Sequence, residues 1–96
     1  MPRFEWDPRK ARDNLRKHGV SFEEAETVFS DEEALLLDDV EHSTGEERFV
    51  LLGLSGALRL LTVVHCYRVD EEVIRLISAR RATRSERAQY GTRWMR

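Results

Sequence analysis

The sequence predicts an α+β fold: an antiparallel β-sheet of about four strands, with a two-helix N-terminal hairpin packed on it and a further helix at the C-terminus. Three observations predict it. Before residue 30, two stretches repeat apolar residues at helical spacing behind capping residues. From Ala34 to Ala79 the pattern changes to short apolar runs divided by turn residues. A third capped stretch, rich in arginine, then closes the chain.

The elements follow in order. Phe4-Glu5-Trp6 alternates like a short edge strand. Asp7-Pro8 reads as an N-cap and a first helical position, where proline's missing N–H costs nothing. This helix carries Ala11 and Leu15 on one face, has Lys17 and His18 at its negative end, and stops at Gly19. Ser21-Phe22-Glu23-Glu24 is a capping box that opens a second helix, with Phe22, Ala25, Val28 and Phe29 on its core stripe. The short link around Gly19 makes the two helices a hairpin. Ala34–Leu37, Arg48–Leu54, Leu58–Arg68 and Val73–Ala79 are strand candidates, with turns at Ser55-Gly56 and Val69-Asp70-Glu71. The last two are apolar on both faces and belong in the sheet centre. Arg59 and Thr62 break the longest apolar run. Thr83-Arg84-Ser85-Glu86 is a second capping box, opening a helix to about Tyr90 with Gly91 as its stop.

The 96 residues, 41% hydrophobic and 35% charged, suit one globular domain, 1–96. The tail from about residue 91, with Trp94, is either flexible or docked on a partner. No run approaches a membrane span, and no apolar leader directs export. The single cysteine, Cys66, fits a reducing cytoplasm. Charge is segregated. Residues 75–96 carry seven arginines against the single acid Glu86, while residues 20–47 carry eleven acids and no Lys or Arg. Such a basic end suggests a local polyanion site, or simply a solvated terminal helix; the acidic middle would equally accept a basic partner.

Several segments stand in a recognisable order: Phe4-x-Trp6-Asp7, Lys17-His18-Gly19-Val20, Phe22-x-x-Ala25, Val28-Phe29-x-Asp31, Glu47-Arg48-Phe49-Val50-x-Leu52-Gly53, Val63-Val64-His65, Arg75-x-Ile77-Ser78-Ala79-Arg80 and Glu86-Arg87-x-x-Tyr90. This series, spanning Phe4 to Tyr90, resembles the BrnT toxins of bacterial type II toxin–antitoxin systems. The resemblance implies a RelE-like fold, endoribonuclease activity and neutralisation by a BrnA-type antitoxin. It also implies repression of the toxin's own promoter by the complex, with operator DNA contacted mainly by the antitoxin.

Metal-free RNA cleavage needs a base for the 2′-OH, an acid for the departing 5′-oxygen and cations for the phosphate. No cofactor is expected. His65 is the first candidate for acid or base, being the only histidine inside a predicted strand; a satisfied core histidine is the other reading. Arg80 and Arg48 are candidate phosphate clamps and Glu47 a candidate base, against a cross-strand ion pair for Glu47 and Arg48. Arg75, Arg81, Arg84 and Arg87 are candidate RNA-binding groups. Tyr90 either stacks on a base or caps the core. Lys17 and His18 either touch backbone phosphate or stabilise a helix end. The expected site gathers these arginines around His65.

Other chemistries fit less well. His65 and Cys66 are strand neighbours, so their side chains diverge and make no thiol–base pair. The histidines and lone cysteine lack zinc spacing. Asp38-Asp39-x-Glu41-His42 reads as an acidic loop before a cation site. A non-catalytic module that binds RNA or a protein partner is the alternative to an enzyme.

Overall fold

The computed structural model describes residues 2–38, 47–68 and 72–92. The chain runs β1 (Arg3–Glu5), α1 (Pro8–His18), α2 (Phe22–Thr27), a 3-10 turn (Val28–Ser30), β2 (Leu35–Asp38), β3 (Phe49–Leu54), β4 (Leu60–Arg68), β5 (Val73–Arg81) and α3 (Arg84–Thr92). The expected turn at residues 69–71, the acidic segment from Asp39 and the tail at Trp94 lie outside the described residues.

Local capping chemistry sets the helix ends. The Asp7 carboxylate accepts from the Arg9 N–H at 2.8 Å, and Gly19 closes α1 at φ 68°, where a Cβ would be strained. Ser21 Oγ accepts from the Glu24 N–H at 3.0 Å. In the second box Thr83 Oγ1 accepts from the Glu86 N–H at 3.1 Å, and Glu86 Oε1 accepts from the Thr83 N–H at 2.8 Å. Gly91 does not stop α3: its φ is not positive, and the helix continues to Thr92.

The sheet has five strands, in the order β1-β5-β4-β3-β2. It is mixed rather than wholly antiparallel, because β1 pairs with β5 in parallel. The meander β2 to β5 is antiparallel throughout, with β4 at its centre. A register shift between Val64 and His65 sets Ser78 opposite Val64 and Leu76 opposite His65, leaving Ile77 as a bulge.

The two N-terminal helices are not a self-contained hairpin, since α1 packs chiefly on β5. Ala11 packs against the core, but Asn14 rather than Leu15 anchors the helix. The buried Asn14 side chain donates to Val20 O at 2.9 Å and Ala79 O at 2.8 Å, and accepts from Ala79 N–H at 3.0 Å. Leu15 stays 52% exposed. Beneath the helices, Val20, Phe22, Ala25 and Val28 meet Leu51, Leu61, Val63, Ile74, Leu76 and Ala79 in the main core. On the opposite face Leu52, Leu60, Ala82 and Tyr90 form a smaller cluster under α3.

Candidate nucleic-acid interface

Alternation along β4 sorts its side chains between these two layers. Leu61 and Val63 point into the helix-side core, so Thr62 points to the opposite face. His65 follows Val63 on the helix side. It is 0% exposed and stands edge-on to Phe29 at 4.8 Å, with Phe49 and Tyr67 beside it. Its Nδ1 lies 3.2 Å from Val63 O, and Nε2 lies 3.4 Å from the Tyr67 hydroxyl. A carbonyl only accepts, so Nδ1 carries the proton and Nε2 is left to accept from Tyr67. Burial pushes the His65 pKa below its ordinary value, which keeps the ring neutral.

Arg80 lies on the other side. On β5, Ile74 and Leu76 face the helix-side core, and unbroken alternation would send Arg80 there as well, onto the face of His65. The bulge at Ile77 resets the phase. Ala79 takes the core position, and Arg80 emerges opposite Thr62 on the α3 face. The expected gathering of arginines around His65 therefore does not form. An irregularity of one residue separates the two groups, and the histidine is packed among aromatic rings.

On the α3 face Arg80 is held firmly. Its Nη1 donates to Glu86 Oε1 at 2.8 Å, to Arg81 O at 3.2 Å and to Thr62 Oγ1 at 3.3 Å, while Nη2 donates to Glu86 Oε2 at 3.0 Å. The guanidinium also lowers the Glu86 pKa to about 2, with help from the Thr83 N–H and the Thr62 hydroxyl. The Arg80 side chain still leaves 43% of its area open. Glu86 takes both of its terminal nitrogens and balances its charge, so what the guanidinium offers a phosphate is a fixed and still accessible edge.

Arg75 shares this face and is joined to Glu5 at 2.6 Å. Alternation from Phe49 sends Arg48 to the same side, in the row of Cys66 and Arg75. Glu47 is exposed beside it. Arg84 and Arg87 are exposed on α3, one turn apart. Arg81 alternates away from Arg80 and lies opposite Leu61, at the end of the sheet. Lys17 and His18 are exposed at the end of α1, across the sheet from α3. Tyr90 is only 9% exposed and donates its hydroxyl to Asp31 Oδ2 at 2.7 Å, so it caps the smaller core rather than presenting a stacking face.

Two arrangements went unread in the sequence. Thr62 braces the Arg80–Glu86 pair. Arg59 pairs through Nε and Nη2 with both oxygens of Glu24, whose Oε2 also accepts from Ser55 Oγ at 2.7 Å. Their signal was the pair of polar breaks in an apolar run, since a polar residue inside a central strand requires a partner.

The profile of a family described as the ribonuclease toxin, BrnT, of type II toxin–antitoxin systems matches residues 6–86. Among solved structures, the 1.1 Å crystal structure of the Brucella abortus ribonuclease toxin BrnT aligns with a TM-score of 0.64 at 24% identity, covering 88% of this chain and 100% of that one. That likeness supports the fold. No curated protein matches the chain in sequence.

Proposed function

The chain belongs to the BrnT family of ribonuclease toxins of type II toxin–antitoxin systems, and from that premise we propose that it cleaves RNA without a metal, on the α3 face of its sheet. The observation that carries this site is the Arg80 guanidinium, held by Glu86 and Thr62 yet open on the face where Arg75 and Arg84 also project. The substrate's 2′-OH attacks the adjacent phosphorus, the bond to the 5′-oxygen breaks, and an acid returns a proton to that oxygen. A base takes the proton of the 2′-OH. Arg80 holds the non-bridging oxygens, and being already fixed it needs no reorganisation as charge develops; Arg48, four residues along the sheet in the row of Arg75, holds flanking backbone. Arg75 and Arg84 hold flanking backbone. His65 has no part in the chemistry.

As a type II toxin the chain implies an antitoxin. We assign that role to a BrnA-type protein that covers the α3 face, with operator DNA bound only through the complex. Incubation of the purified chain with RNA in EDTA tests the enzyme. Fragments ending in a cyclic phosphate are expected. Intact RNA shifted on a gel would instead make the chain a binding module.

A further inference from the structure

At the end of the sheet, β4 begins immediately after the strained turn Ser55–Arg59. Beside this turn lies an open cleft of about 170 Å³, lined by Leu58, Arg59, Leu60, Arg81 and Arg87. Three of the five lining residues are arginines, and none is acidic. Arg59 is neutralised behind the cleft by Glu24, and its Nη2 is further tied to Gly19 O at 3.0 Å. Arg81 and Arg87 are exposed side chains from different elements, one from the end of β5 and one from α3. The Glu24 carboxylate has its pKa lowered first by Arg59 and least by Arg81. The cleft therefore keeps the positive charge of two guanidiniums.

We propose that this cleft is a subsite for a backbone phosphate of single-stranded RNA, bound between Arg81 and Arg87 and separate from the Arg80 site. The anion is argued from the lining: two exposed guanidiniums border a space large enough for one phosphate, and cations in a concave wall attract oxyanions. The single strand is argued from the topology. Arg80 and Arg81 are consecutive but leave opposite faces, so a strand that touches both sites must bend around the end of the sheet. A duplex is stiff over that distance. The rim adds Leu58, 81% exposed and held at φ 61°, which offers apolar surface to a base leaving the cleft. This inference rests on the ribonuclease reading for its substrate class.

The test uses a 2′-O-methyl RNA oligonucleotide, which binds but has no 2′-OH to react, and fluorescence anisotropy across a salt series. Arg81→Ala and Arg87→Ala are each expected to weaken binding about 5- to 10-fold and to flatten the slope of log affinity against log salt by roughly 0.7, the value for one phosphate contact on a single strand. Arg12→Ala removes the same charge from exposed α1 and should leave affinity within about twofold if the effect is local. All three side chains are exposed, so unchanged thermal melting shows that each variant folds. Wild-type affinity in the Arg81/Arg87 double variant would overturn the proposal, as would an equal loss in Arg12→Ala. Loss of antitoxin affinity with RNA affinity intact would give the cleft to the protein partner and also overturn it. Failure of the wild type to cleave RNA would sink the ribonuclease reading alone, because the binding measurement does not depend on cleavage.

Discussion

The two faces of the sheet use the same kinds of residue for opposite ends. On the helix side, His65 is enclosed by Phe29, Phe49 and Tyr67, and its ring nitrogens are occupied by Val63 O and Tyr67. On the α3 side, Arg80 is just as well bonded but keeps nearly half of its side chain open. A polar group buried with every partner satisfied serves the fold, whereas one that is fixed and still accessible is available for chemistry. Residue type alone puts the histidine first, because histidine is the commoner acid–base catalyst, whereas exposure puts the arginine first.

The largest expected effect sits on the dry face. His65→Ala removes an aromatic-sized ring from the main core and should cost about 3 kcal/mol, read as a lower midpoint in urea unfolding. The ring also links that face to pH. Its pKa is lowered from 6.5 by burial, so below that value the unfolded chain binds the proton more readily. Wild-type stability should be full above pH 6.5 and fall as the pH drops beneath it. His65→Phe, which keeps the packing, should lose that slope in the same window.

A smaller effect is expected on the open face. Glu86→Gln removes the charge that holds Arg80 and should cost about 1 to 2 kcal/mol at neutral pH, after allowance for screening at this partly exposed pair. The sign of its pH dependence follows from a carboxyl lowered from 4.5 to about 2. The stabilisation is present above pH 4.5 and is lost as pH falls from there toward 2. An acid titration of wild type against Glu86→Gln should therefore separate the curves above pH 4.5 and bring them together near 2. Curves that stay parallel throughout would mean the pair does not hold α3.

What the sequence disclosed divides along similar lines. Asp7, Ser21, Gly19 and Thr83 mark helix ends because capping is local chemistry, satisfied within three or four residues. The runs that became β3, β4 and β5 were legible because their apolar periods are long enough to count. The parallel pairing of β1 with β5 was not, since three residues carry no mark of a partner some seventy positions away. The bulge at Ile77 left no local mark either, yet it alone moves Arg80 to the face away from His65. The arginines of the basic end are plain in the sequence, but their expected grouping around His65 fails by one residue of phase. Asn14 shows the same limit from another direction: the apolar stripe put Leu15 beside Ala11 on the packing face, but an amide bonded to Val20 O and Ala79 O does that work.

The central claim is that cleavage belongs to the α3 face, and its most direct test is the RNA cleavage rate per folded molecule in two variants. Arg80→Ala should lower the rate by about 100-fold or more, the range for losing a fixed donor to a developing phosphate charge. His65→Phe should stay within about threefold of wild type, because that ring is fully buried among aromatic side chains. The reverse pattern, with activity lost in folded His65→Phe and kept in folded Arg80→Ala, would contradict the account.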